Sequence, residues 1–352
     1  MPDELPDVNP PVERLPEEPP QPFLHRPALY IALLAFYVLA TYWDWLPAPQ
    51  RLSPRGEEAT VHVRSLEDMF REPRELPFPI YAAYLVPLIL GSGLLIGYIV
   101  LRSHDIRVFP RCEFPLVPWD AMHLVRAFVV FLVVQRLVGA GIVLLQEGNP
   151  AWVKAHQGIL AVLATNAIMV GMCAFVLLLV GGGGGTPFGL LGLKERRPCN
   201  RATIGLAGYL MIFPLLFLAS FLMMLLGPLF RIQPQPQDVL SSAVGLSPPW
   251  FLVLSLSAVV VAPLTEELLL RGFFYATLRR YIGPLGAIVL SALVFSLLHG
   301  YAFGFLALFL IGFLLSYLYE RTGSLVASIC AHAANNLYSL LVVYLTFHLG
   351  SG

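Results

Sequence analysis

Residues 250–279 read WFLVLSLSAVVVAPLTEELLLRGFFYATLR. An apolar run of this length is enough to cross a lipid bilayer, which takes about 20 residues at 1.5 Å each. Yet it carries Glu266, Glu267 and Arg271 in its interior. A charged group at the centre of a membrane helix costs at least about 2.5–3.5 kcal/mol on insertion scales, so three in one run call for a reason. Helical spacing sorts them. Glu267 and Arg271 lie four residues apart with the glutamate first, so they share a face and neutralise one another. Glu266 is turned about 100° from its neighbour and faces another wall, with no basic partner in register. Its carboxylate is thereby left for proton transfer. Pro263 removes a backbone donor just before the pair and is expected to kink the helix there, opening room for water.

The rest of the chain points to the same setting. Of 352 residues 57% are hydrophobic and only 12% charged, against about 25% charged in an ordinary soluble domain, and the mean hydropathy is +0.73. The 22 basic and 22 acidic residues cancel, leaving no net field that would attract nucleic acid. Apolar runs recur near 28–46, 78–101, 122–145, 157–180, 203–230, 250–279, 285–300, 303–320 and 324–348. The sequence therefore predicts an all-α, polytopic transmembrane helix bundle of about eight to nine spans. Three regions follow: a Pro-rich acidic tail at 1–26, read as disordered, transmembrane helices and loops at 27–201, and a core at 202–352 with its motifs between 266 and 336. Cys112, Cys173, Cys199 and Cys330 show neither CxxC spacing nor a paired pattern, so neither a zinc knuckle nor a disulfide framework is supported.

Lysine and arginine placement sets orientation. Arg102, Arg107 and Arg111, then Lys194, Arg196, Arg197 and Arg201, then Arg279 and Arg280, then Arg321 fall on alternate connections. The opposite segments, 146–156, 231–248 and 300–303, hold only Lys154 and Arg231. The basic set belongs in the cytoplasm, and the N-terminus with it, in what reads as a multi-pass protein of a bacterial cytoplasmic membrane. The loop at 47–77 runs against the rule with five arginines, in a segment also rich in Glu and Asp. Five glycines at 181–185 break the helix, since each costs about 1 kcal/mol relative to alanine. The following Phe188–Arg197 is apolar and then basic, as an interfacial piece would be.

Two further spans carry polar groups, Phe295-Ser-Leu-Leu-His299 and His332-Ala-Ala-Asn335-Asn336. His332 and Asn336 are four apart and present their tips together. By helical rise Glu266 lies about 20 Å from the inner end of its run, His332 roughly 12–15 Å and His299 about 21 Å from theirs. The three meet in the inner half of the membrane if the short span of His299 is tilted. Each polar group taken singly has a plainer reading, because membrane histidines and asparagines commonly bond neighbouring helices. Their coincidence on successive helices is what points to one site. Arg126, His123 and Arg136 in the third span read as a bundle-facing or snorkelling group without chemistry.

EExxxR at 266–271, FxxxH at 295–299 and HxxxN at 332–336, in this order on hydrophobic helices, resemble the CAAX protease and bacteriocin-processing family, also called CPBP or Abi, which includes the type II CAAX prenyl endopeptidases. The resemblance covers about 250–345 and extends to the phrase Tyr319-Glu-Arg-Thr-Gly-Ser324. It implies an intramembrane endopeptidase acting on a membrane-associated or CAAX-like protein or peptide. Glu266 would act as general base on a water that His299 helps to hold. His332 and Asn336 would stabilise the oxyanion, and Glu267 with Arg271 would fix the helix. The family has been described both as glutamate proteases without metal and as metalloproteases. The metal-free form, with no cofactor required, is the expectation here, since HExxH is absent. In the zinc alternative Glu266, His299 and His332 would form a His₂Glu site. Some relatives serve as adaptors or immunity factors, so the competing class is a non-catalytic membrane scaffold, transporter or immunity factor built on the same polar groups.

Overall fold

The computed structural model describes residues 24, 26–45, 77–106, 108, 117–181, 189, 198–232 and 247–349. The tail before Leu24, the loop at 47–76, the glycines after Gly181 and all of Phe188–Arg197 but Gly189 lie outside the described residues. Among the described residues no strand occurs. The long helices are α1 (Pro27–Trp45), α2 (Phe78–Ser103), α3 (Ala121–Gly148), α4 (Pro150–Val180), α5 (Pro198–Leu226), α6 (Pro248–Leu298), α7 (Phe305–Thr322) and α8 (Leu325–Leu349). Seven of them, α2 to α8, are long and apolar enough to cross a membrane, and α1 contributes a shorter apolar stretch, Pro27–Leu39. α6 consists of two legs, because Gly283 (φ 72, ψ 174) interrupts it just before Pro284. That backbone conformation is open to glycine and strained for other residues. Counting the legs, each of the expected apolar runs has its helix, and the chain is an integral multi-pass membrane protein.

Caps and prolines set the helix ends. Asp120 forms a capping box with His123 at the start of α3, and the hydrogen bond from His123 holds its carboxyl below the ordinary range. His123 caps the helix from a half-buried position, and Arg126 lies over the ring of Tyr30. α3 and α4 are joined by Asn149 alone, whose side chain accepts from the Trp152 N–H. The connection expected at 146–156 is therefore a single residue. Pro150 can open a helix at once, since its missing N–H is not needed in a first turn, and Asn149 supplies the cap. α7 ends at Gly323 in the left-handed conformation.

Among the described membrane-spanning helices α7 is the most enclosed and α2 the least, so α2 turns most of its surface outward from the bundle. The second leg of α6, α5 and α8 pack around α7, and α8 also packs on α5 and on the first leg of α6. Close approach rests on small residues, the usual device where helices associate in lipid. Gly205 of α5 meets the Ala327 carbonyl of α8, and Gly312 of α7 meets Ala292 and Phe295 of α6. Two apolar clusters fill the core, one including Trp119, Leu179, Tyr275 and Tyr319, the other Phe213, Phe295, Leu315 and Leu318. Leu268 belongs to the first and Leu270 to the second, so the segment carrying Glu267 and Arg271 runs between them.

Candidate active site

The first leg of α6 is not a uniform α-helix. Two π-helical stretches, Ser257–Val261 and Leu268–Tyr275, flank the short α-helical piece Ala262–Glu267. The disturbance expected at Pro263 takes this form rather than that of a break. Ala262 N–H reaches back five residues to the Ser257 carbonyl, and the wider turn gives the proline ring the space that a tight α turn denies it. Such wide turns are frequent at functional sites, and here they bracket the two glutamates.

Glu267 and Arg271 are fully buried and paired as their spacing predicts, Arg271 Nη1 donating to Glu267 Oε1 across 2.7 Å. Arg271 also donates through Nη2 to the Gly312 carbonyl (3.1 Å) and through Nε to Ser316 Oγ (3.4 Å). Its guanidinium lies 4.7 Å from the centre of the Phe295 ring. One side chain therefore ties the first leg of α6 to α7 and to the second leg. Glu267 has a further donor: His332 Nδ1 lies 2.9 Å from the same Oε1. A carboxylate oxygen only accepts, so Nδ1 carries the proton. His332 Nε2 is then turned towards Glu266, whose Oε2 is 3.9 Å away. That is too long for a direct hydrogen bond and within reach of one water bonded to both. The Glu266 side chain keeps 22% of its exposure and His332 keeps 3%, so Glu266 is the accessible member.

His299 closes the second leg of α6. Its Nδ1–H donates to the Phe295 carbonyl at 2.7 Å, and its ring lies 4.4 Å from the Phe295 ring. The His332 ring lies 5.5 Å from that same phenyl ring, so Phe295 is the shared neighbour of the two imidazoles. Asn336 Nδ2 donates to the Ala258 carbonyl on the first π turn at 2.8 Å, and its Oδ1 accepts from Asn335 at 3.3 Å. The fold thus gathers Glu266, Glu267, Arg271 and His332, sets Asn336 one turn further along α8 against α6, and leaves the polar contact of His299 within its own helix.

The zinc alternative can be tested on this arrangement. Among the described residues no group of three His, Cys, Asp or Glu side chains is placed to hold one ion. Glu266, His299 and His332 as they stand do not form the close tetrahedral set that zinc needs, and no step below runs through a metal.

Several supporting residues escaped sequence reading. Asn166 of α4 donates to Ser257 Oγ, and Cys173 Sγ lies 3.5 Å from the Thr265 carbonyl, so α4 braces the same leg. Glu320 accepts from Arg279 Nε and Nη2 at 2.7 and 2.9 Å and from the Tyr275 hydroxyl at 2.7 Å. An asparagine within an apolar run was the available signal for the first, because membrane asparagines seek partners on other helices.

Residues 248–338 match the family model described as type II CAAX prenyl endopeptidase Rce1-like, the family that the three motifs resemble. The matched stretch contains Glu266, Glu267, Arg271, His299, His332 and Asn336. No curated protein and no solved structure matches the chain. At the level of the family, the match supports a CAAX-type intramembrane endopeptidase, a peptidase working in a lipid bilayer on peptide substrates.

Proposed function

We propose that the protein hydrolyses a peptide bond of a membrane-associated or CAAX-like substrate, with Glu266 as the base that activates water. The observation that carries this reading is the pairing of an accessible carboxylate with a buried imidazole, Glu266 Oε2 and His332 Nε2 at 3.9 Å, while Glu267 and Arg271 are paired with one another beside them.

A water lodged between these two atoms gives a proton to Glu266 as its oxygen bonds to the scissile carbonyl carbon. The carbonyl π electrons move to oxygen and form the oxyanion. His332, held through Nδ1–H by Glu267, donates to that oxygen when Nε2 is protonated. Asn336 adds the Nδ2 hydrogen that Ala258 does not take, and each such preorganised donor is worth about 3–4 kcal/mol. Collapse of the intermediate breaks the C–N bond, and Glu266 returns its proton to the departing amine. His299 joins through Nε2, because its Nδ1 is held by Phe295, and helps to hold the water. The Phe295 ring between the imidazoles keeps this chemistry away from bulk solvent. The protein sits in a bacterial cytoplasmic membrane with its N-terminus in the cytoplasm.

The test is cleavage of a farnesylated peptide with a CAAX end by the purified full-length protein in detergent. The native protein is expected to cleave, and Glu266→Ala to lose at least about 10²-fold in rate. Equal cleavage by both proteins, or by neither, favours a non-catalytic scaffold.

A further inference from the structure

We infer that Asn336 supplies, from α8, the hydrogen-bond donor that Pro263 removes from the backbone of α6, so that this proline and this asparagine form one structural unit. In the first π turn Ala262 N–H donates to the carbonyl five residues back, Ser257. One residue further on in that register, the N–H at position 263 would reach the carbonyl of Ala258. Position 263 is proline and has no N–H. A carbonyl left unpaired inside a bilayer is costly, and membrane helices that contain proline recover the loss from side chains of their neighbours. Asn336 Nδ2 lies 2.8 Å from that very oxygen.

Other side chains hold the same turn. Thr265 Oγ1 donates to the Val261 and Ala262 carbonyls at 2.9 and 3.2 Å, and Asn166 holds Ser257 Oγ. Asn336 differs from these in coming from α8, four residues past His332. The tie therefore fixes the register of α8 on α6 and, with it, the approach of His332 to Glu266. Asn336 is in this respect a positioning residue. Only the effect of the tie on catalysis rests on the peptidase reading; the tie itself does not.

A double-mutant cycle in thermal unfolding of the purified full-length protein in detergent tests this. Asn336→Ala is expected to lower Tm by roughly 3 °C or more while Pro263 is present. With Pro263→Ala, which restores the backbone donor, the same asparagine change should cost less than half as much. Asn336→Asp, which keeps the size and loses the donor, should follow the alanine variant in both backgrounds. If Asn336→Ala yields no folded protein, recovery of folded protein on adding Pro263→Ala is the supporting result. Equal losses in both backgrounds, failure of Pro263→Ala to recover an unfolded Asn336→Ala, or unfolding of both Pro263→Ala and Pro263→Leu would overturn the inference. Absence of peptide cleavage from every variant would count against the peptidase reading alone, because the coupling in Tm is read without it.

Discussion

Arg271 is a fully buried cation, and what it touches decides what its loss would do. Its charge is matched by Glu267, and its Nη2 and Nε donate to the Gly312 carbonyl and Ser316 Oγ. Removing one partner of such a pair strands the other in a low-dielectric interior, which typically costs about 3–5 kcal/mol, whereas removing both charges together costs much less. Arg271→Gln should therefore destabilise the protein by that order in detergent unfolding, and Glu267→Gln/Arg271→Gln should recover part of the loss. A double variant no better than the single one would show that Arg271 matters through its bonds to α7 rather than through the charge pair. The i, i+4 spacing made this pair legible in the sequence. The bond from His332 to Glu267 was not, because it joins residues 65 apart, and no local rule says which of two adjacent glutamates an imidazole from another helix will take. For Asn336 the sequence did hold an unread clue: a proline in an apolar run implies an orphaned carbonyl, and an orphaned carbonyl implies a donor nearby.

At the scale of the helices, composition located the spans, because crossing a bilayer demands long apolar runs whatever their packing. The break between the legs of α6 was legible in Gly283-Pro284, and the single-residue turn at Asn149 was hidden by the polar residues around it, Gln146 and Glu147 before and Lys154 and His156 after, which read as a longer loop. The π turns were invisible, since a π and an α stretch share composition and differ in one hydrogen-bond step. Which small residues mark crossings also had to come from the fold. On α2, a Cβ at Gly91 would collide with the Leu210 carbonyl of α5, whereas one at Gly93 would meet nothing. Gly91→Ala should force the two helices apart and cost about 1–3 kcal/mol. Gly93→Ala should be neutral or stabilise by up to about 1 kcal/mol through helix propensity. Thermal unfolding of the two variants side by side checks this, and similar losses from both would mean that α2 does not cross α5 at Gly91.

For the whole molecule, side-chain contacts sort the helix ends into two rims. Arg279 with Glu320, the Tyr281 hydroxyl with the Ala121 N–H, and Trp119 Nε1 with Thr277 Oγ1 bring together the start of α3, the end of the first leg of α6 and the end of α7. The meeting of Tyr98 with Tyr317 and of Gly205 with Ala327 adds the end of α2 and the start of α5 to this rim. The opposite rim holds Trp152 stacked on His156, with Trp250 beside them, and Phe251 beside Tyr344. Arg102, Arg201, Arg279, Arg280 and Arg321 therefore lie at one end of the bundle, and Lys154 and Arg231 at the other. The positive-inside rule predicts that the first rim faces the cytoplasm. Cys199 is exposed at the start of α5 on that rim and reports on the assignment. In a variant whose other three cysteines are alanine, a membrane-impermeant maleimide should label Cys199 in inside-out vesicles and not in intact cells. A Gly148→Cys substitution in the same background, at the end of α3 on the opposite rim, should give the reverse pattern. Labelling of Cys199 from outside would invert the orientation. The outcome matters for chemistry, because Glu266 lies 13 residues before Arg279 on α6, about 20 Å at helical rise, and the peptide to be cut must reach that depth from whichever side the basic rim faces.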